Sequence, residues 1–257
     1  MSSWDPTAYG RFQAERKRPI YDLIARLPRS DYASIADLGC GGGQSTEPLA
    51  EHFPAAKIQG YDSSEPMLAA ARERLPGLSF TRGDIADWSD PQTELVFSNA
   101  ALQWVRGHID VMARIASELP AGGCLAAQFP DNLDEPSHAL MREIAALPQF
   151  RDTLAAQAAD RQEIGAFAAY DAALAPHCAH IDIWRTVYVH RLASPEAIVA
   201  WVEGSGLRPY LAPLTSEARA EYLALYGAAI AKAYPRQPSG GVLLSFPRLF
   251  VVAARAS

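Results

Sequence analysis

The chain has 257 residues, 49% of them hydrophobic and 20% charged, with a formal net charge of -6 and a pI near 5.5. That length supports one large core, which we expect to be a single α/β domain, and the acidic balance disfavours nucleic acid or anionic lipid as a partner, because both carry dense negative charge. No run approaches the roughly 18 apolar residues of a membrane span and the start "MSSWDPTAYG" lacks a basic-then-apolar leader, so a cytoplasmic protein with a small-molecule partner is expected, with nothing demanding more than a monomer.

Residues 1–30 predict an N-terminal helical cap, in which Tyr9 and the basic cluster Arg16, Lys17 and Arg18 stand before the first strand. A short charge run of this kind is usually a solvated helix face. From Ser34 the chain alternates. "SIADLG" predicts a strand ending in glycine, and "QSTEPLAEHF" a helix with Ser45 as N-cap and Pro48 in its first turn. "AKIQGYD" predicts a second strand and "SSEPMLAAARERL" a second helix, capped by Ser64, with Met67, Leu68, Ala71 and Leu75 on one stripe. "LSFTRGD" and "ELVFSNA" follow as strands, "VMARIASELPAGG" as a helix and "CLAAQFP" as a fifth strand. Strands separated by helices imply parallel pairing with right-handed crossovers, hence a doubly wound, mostly parallel sheet of the Rossmann-like kind.

After Pro130 the rhythm changes. Residues 138–175 look helical, "HIDIWRTVYVHRL" predicts a long strand, residues 195–234 two helices, and "GVLLSFPRLFVVAARA" a last strand. Seven strands result, with a helical insertion between the last two that could roof a ligand crevice at the carboxyl ends of the parallel strands. The expected divisions are the cap over 1–30, a cofactor-binding core over 31–130, and a substrate and lid region with the closing strands over 131–257.

The run Asp37-Leu38-Gly39-Cys40-Gly41-Gly42-Gly43 lies between a predicted strand and a predicted helix, the context in which bare glycine backbone approaches a ligand. Asp62 ends the next strand about 20 residues on, where a carboxylate can accept from both hydroxyls of a ribose. The pair points to an adenosine-containing cofactor. A dinucleotide fingerprint would need G-x-G-x-x-G, but position 44 is Gln44, and no phosphate-binding G-x-x-x-x-G-K-[ST] loop is present. What remains suits an amino-acid-bearing nucleoside without phosphates, while a bare tight turn is the competing reading.

"ADLGCGGG", Asp62, "GDI" at 83–85 and Asn99 at the end of the fourth strand together resemble the successive motifs of class I S-adenosylmethionine-dependent methyltransferases. The resemblance implies S-adenosyl-L-methionine as cofactor and S-adenosyl-L-homocysteine as product. It places Gly39 and Gly41 at the methionine part, Asp62 at the ribose hydroxyls, Met67 at the adenine face and Asp84 at its exocyclic amine with Ile85 against the ring, and it counts Asp37, Cys40, Ser63, Gly83 and Asn99 among the cofactor-binding residues.

"WDPTAYGRFQAERKRP", "SNAALQWV", "FPDNLDEPSHALMRE", "DIWRTVYVH", "WVEGSGLRPYL" and "FPRLFVVA" resemble, from end to end, the trans-aconitate methyltransferase family. That likeness implies methyl transfer to one carboxylate of trans-aconitate, giving a monomethyl ester. A carboxylate with a pKa near ~4 is already ionised at neutral pH, so no general base is required, and Gln103 and Trp104 are expected only to position the reactants. The two remaining carboxylates need local counter-charge. Arg185, Arg208 and Arg248, each set among apolar or aromatic residues, are the candidates, together with Tyr9 and Trp104. The competing readings are ion pairs of these arginines with acids such as Asp182 or Glu203, and a core tryptophan at 104.

Cys40, Cys124 and Cys178 have no C-x-x-C spacing and read as small core hydrophobes. His177 and His180 lack further ligands at metal spacing, so no metal is expected, and His190 reads as a surface histidine with anion contact as its alternative. Rival functions are a methyltransferase for another di- or tricarboxylate or a carrier-bound carboxylate, a nicotinamide oxidoreductase, and a non-catalytic S-adenosylmethionine-binding protein.

Overall fold

A computed structural model describes residues 13–159 and 164–257. The elements run α1 (Gln13–Ile24), β1 (Ser34–Leu38), α2 (Thr46–His52), β2 (Lys57–Asp62), α3 (Glu65–Arg74), β3 (Ser79–Arg82), β4 (Leu95–Asn99), α4 (His108–Glu118) and β5 (Cys124–Pro130). They continue as α5 (Pro136–Ala145), α6 (Arg151–Ala159), α7 (Phe167–Leu174), β6 (His180–Leu192), α8 (Pro195–Glu203), α9 (Arg208–Leu211), α10 (Ser216–Ala233) and β7 (Val242–Ala254). Single 3-10 turns occupy Ile85–Asp87 and Leu102–Trp104. Tyr9 lies outside the described residues.

One seven-stranded sheet has the order β3-β2-β1-β4-β5-β7-β6. Its first five strands pair in parallel, and β7 runs antiparallel to β5. The chain therefore reverses direction in strand order at β1, whose neighbours are β2 and β4. In such sheets the crevice beyond the carboxyl ends at the reversal is where ligands bind. The α/β expectation, a mostly parallel seven-stranded sheet of Rossmann-like class, holds.

The described residues cluster into two compact units. The first comprises Arg16–Pro130, Ile164–Thr186 and Arg248–Ser257. Its core is built where β1, β4 and β5 bury Ala36, Leu38, Val96, Leu125 and Phe129 against Met112 and Ile115 of α4. Both faces of these strands are covered, which explains why they read as continuous apolar runs instead of alternating ones. Each of these leucine, valine, phenylalanine, methionine and isoleucine side chains contributes roughly 1.5–3 kcal/mol on burial. Tyr170 of α7 joins this core, with its hydroxyl 2.7 Å from His108 Nε2 and its ring 5.8 Å from that of Phe129.

Within the second unit, which includes Asp131–Glu163 and Val187–Pro247, α10 presents Tyr222, Tyr226 and Ile230 at helical spacing to a core containing Met141, Trp201 and Leu211. The tyrosine hydroxyls donate to carbonyls of α5, Tyr226 to Ser137 at 2.6 Å and Tyr222 to Met141 at 2.8 Å. The Ser137 N–H, an orphan donor in the first turn of α5, is taken by Tyr234 Oη at 3.0 Å. The Tyr222, Tyr226 and Tyr234 hydroxyls are thus each hydrogen-bonded inside an aromatic core.

Four local expectations need correction: Ser64 stands at the N-cap position of α3, but its side chain makes no capping hydrogen bond. Ser45 precedes α2 but makes no cap, because its hydroxyl donates instead to the Asp37 carboxylate. The 195–234 region holds three helices, since Gly204 and Gly206 interrupt it and Pro209 starts the short α9. His190 is buried, because it shares the inward face of β6 with Tyr188 and Leu192, and its ring stacks on Trp201 at 4.8 Å. Cys40 and Cys124 are buried, and Cys178 is half-buried. No described helix is long and apolar enough to cross a membrane, and no group of three His, Cys, Asp or Glu among the described residues could hold a metal ion.

Candidate active site

The carboxyl end of β1 runs into a turn in which Gly39, Gly41 and Gly43 all have left-handed backbone, at φ +73°, +55° and +83°. The N–H groups of Gly39 and Cys40 both donate to Tyr61 O, at 2.8 and 3.0 Å, tying the turn to β2. A Cβ on Gly39 would overlap Ala101 Cβ, so the space that glycine leaves is filled by the loop after β4. A Cβ on Gly41 would sit 3.2 Å from Met67 Cε and 3.3 Å from Gln44 Oε1. Bare main chain here is therefore required by both conformation and packing.

Asp62, the last residue of β2, is fixed from two sides. Its Oδ2 accepts from Gly41 N at 2.9 Å and its Oδ1 from Ser64 N at 2.8 Å. Each carboxylate oxygen can accept more than one hydrogen bond, so the group retains capacity for a ligand while its orientation is set. Its main-chain oxygen accepts from Gly83 N at 3.1 Å, which carries β3 and the following Asp84 beside it. Asp84 is exposed and caps the 3-10 turn through Ala86 N at 2.9 Å, and Ile85 is half-buried near Gly39 and Tyr61. Ser63 is exposed and Met67 half-buried at the start of α3. The candidate residues on β1, β2, β3 and the turns after them are thus brought together.

Asp37 is wholly buried under the turn and accepts from Thr46 Oγ1 at 2.7 Å and Ser45 Oγ at 2.8 Å. Desolvation pushes its carboxyl up to about 6 against the opposing effect of those hydroxyls. It serves as an internal brace between β1 and α2, not as a surface open to a ligand.

At the end of β4 the backbone is strained. Ala100 has φ +54°, a region that costs an alanine, and it is held there by Ala100 N donating to Gln128 O at 2.8 Å and by Gln103 Nε2 donating to Ala100 O at 2.7 Å. The sequence run "SNAALQWV" therefore forms a braced loop over Gly39. Trp104 at its far end is 64% exposed, which removes the reading of a core tryptophan. Asn99 is half-buried, and its Oδ1 accepts from Gln128 Nε2. Gln128 Oε1 in turn accepts from Arg248 Nη1 at 2.9 Å.

Of the three candidate arginines, Arg248 is buried on β7, Arg185 is exposed on β6, and Arg208 is half-buried at the start of α9 in the other unit. The acids named as competing partners are engaged by other arginines, Asp182 by Arg26 at 3.0 Å and Glu203 by Arg219 at 3.1 Å. In the basic cluster, Lys17 pairs with Glu47 at 2.7 Å.

A family model described as a methyltransferase domain matches residues 35–123, which includes the glycine turn, Asp62 and the loop after β4. A trans-aconitate 2-methyltransferase of Methylobacterium nodulans is 53% identical over 99% of this chain and 99% of its own length. The chain belongs to the trans-aconitate 2-methyltransferase family. Another member, from Acidovorax ebreus, is 48% identical over the whole of both chains. The crystal structure of the YcgJ protein from a Bacillus superposes with a TM-score of 0.58 at 9% identity, covering 92% of this chain and 97% of its own, which speaks for the fold alone.

Within this family frame, Gln128 is the residue the sequence reading passed over. Its signal was present, because one amide inside the apolar run "CLAAQFP" has to find partners when that strand is buried.

Proposed function

We propose that the turn Gly39–Gly43, Asp62 and the loop after β4 hold S-adenosylmethionine, and that this chain transfers its methyl group to one carboxylate of trans-aconitate. The products are the monomethyl ester and S-adenosylhomocysteine. When bound, the cofactor supplies an electrophilic methyl group on a sulfonium. The observation that carries the reading is the Asp62 carboxylate fixed between Gly41 N and Ser64 N at the mouth of the glycine turn. The acceptor follows from membership in a family whose members are named for trans-aconitate.

The residues present fit that cofactor. Asp62 offers a carboxylate to the two ribose hydroxyls, while Met67 and Ile85 offer apolar surface to the adenine and Asp84 an acceptor to its exocyclic amine. Gln103 Oε1 is buried and has no hydrogen-bond partner among the described residues, an acceptor suited to the ammonium of the methionine part. These are acceptor groups, as a cationic and hydroxyl-rich ligand needs.

Arg185 and Arg248 are assigned to the substrate carboxylates, since a guanidinium fork pairs a carboxylate through two parallel hydrogen bonds. Gln103 and Trp104 position the acceptor. The attacking carboxylate is already ionised, so the chain's contribution is alignment and exclusion of water from the attacking oxygen. The test is transfer from methyl-labelled S-adenosylmethionine. Saturable labelling of trans-aconitate as a single monoester is expected. Labelling of a different di- or tricarboxylate alone would reassign the acceptor, and tight cofactor binding with no turnover on any such acid would contradict catalysis.

A further inference from the structure

The strand register sets Asn99 of β4 opposite Gln128 of β5, Gln128 opposite Phe250 of β7, and Pro130 opposite Arg248. Residues two apart on a strand share a face, so Asn99, Gln128 and Arg248 rise from the same side of the sheet. Gln128 is fully buried, and it bridges the other two.

The direction of this bridge follows from chemistry alone. A guanidinium has donors and no acceptor, so the group that Gln128 turns toward Arg248 has to be its oxygen. Its amino group then faces Asn99, and Asn99 has to answer with its own oxygen. That leaves the Asn99 Nδ2, a pure donor, as the end directed away from Gln128. An asparagine amide without such a partner could turn either end outward, because its two ends are nearly equal in shape.

We infer that Gln128 is a polarity lock: a positioning residue that takes its orientation from Arg248 and thereby fixes Asn99 as a hydrogen-bond donor to a ligand carboxylate. The inference rests on the resemblance stated above, which counts Asn99 among the cofactor-binding residues. The proposed reaction offers two carboxylate sources, the methionine part of the cofactor and the tricarboxylate acceptor. Either one suits a donor and would be repelled by an outward-facing oxygen.

Gln128→Glu tests this. The variant keeps the size of the side chain and its acceptor for Arg248, but the atom facing Asn99 becomes one that only accepts. Asn99 then reverses and turns its oxygen to the ligand. The dissociation constant for S-adenosylhomocysteine and the KM for trans-aconitate are measured for the wild type, Gln128→Glu, Asn99→Ala and the double variant, with a melting curve for each. Gln128→Glu and Asn99→Ala should each raise one of the two constants by about tenfold or more, and the constant that moves identifies the carboxylate. In the double variant that constant should lie within about twofold of Asn99→Ala alone, because Gln128 acts through Asn99. A merely structural role would multiply the two effects. That result, or Gln128→Glu leaving both constants within about twofold of wild type, would overturn the lock. Absence of transfer to trans-aconitate by the wild type would instead overturn the proposed acceptor, while the S-adenosylhomocysteine arm still reads the lock.

Discussion

Gly41 N donates to Asp62 Oδ2 at 2.9 Å, so the turn leaving β1 and the end of β2 are one hydrogen-bonded unit before any ligand arrives. Preorganisation of this kind lowers the ordering cost of binding. Asp62→Ala should weaken S-adenosylhomocysteine binding by about 10- to 100-fold, the equivalent of about 1.5–3 kcal/mol for a hydrogen-bonded charged group. Titration calorimetry measures it, and the KM for trans-aconitate at saturating cofactor should move far less.

Gly39→Ala should both destabilise the fold and lower kcat. Left-handed backbone costs an L-residue about 1–2 kcal/mol, and the added methyl would displace Ala101 and the strained Ala100 beside it. Gly77→Ala is the control, with nothing within 4 Å of the added carbon, and should stay within about 0.5 kcal/mol of wild type. Urea unfolding with parallel turnover measurements compares them.

Asp37 predicts a pH dependence with a definite sign. Its carboxyl is raised from 3.8 to about 6 in the folded protein, so between those values the folded state holds more protons than the unfolded one. The contribution of this group is fully present below pH 3.8 and is lost as pH rises through about 6, by on the order of 3 kcal/mol. The stability difference between wild type and Asp37→Asn, followed from pH 4 to 8, should show this loss in the wild type only.

Arg185 is exposed, and Arg185→Ala should raise the KM for trans-aconitate by about tenfold or more while cofactor affinity holds. Arg248 is buried, so Arg248→Lys is the suitable variant there, expected to lose the planar fork while keeping the charge. Steady-state kinetics with each variant decides whether both belong to the anion site.

Because the acceptor is a carboxylate, kcat at saturating substrates should be flat from about pH 6.5 to 9. A limb of unit slope in that interval would reveal a general base.

Much of β1, β4 and β5 was legible because burial on both faces makes each a short apolar run, as "CLAAQFP" shows by matching β5 from Cys124 to Pro130. The long strand "HIDIWRTVYVHRL" was equally plain and coincides with β6. Asp62 was found by its spacing from the glycines. What sequence spacing could not express is which groups meet across strands. Ser45 followed a capping pattern, yet a buried carboxylate at Asp37 outbid the helix end for its hydroxyl. Gly39 looked like room for a ligand, and its own missing Cβ proves to be room for Ala101. The insertion of β7 between β5 and β6 brings Arg248 to Gln128, a contact separated by 120 positions that no local pattern announces.

A crystal structure of the chain with S-adenosylhomocysteine tests the central claim most directly. The account predicts both ribose hydroxyls within hydrogen-bonding distance of the Asp62 carboxylate and the homocysteine part lying over the main chain of Gly39–Gly41. Occupancy elsewhere, or a ribose that leaves Asp62 untouched, would contradict it.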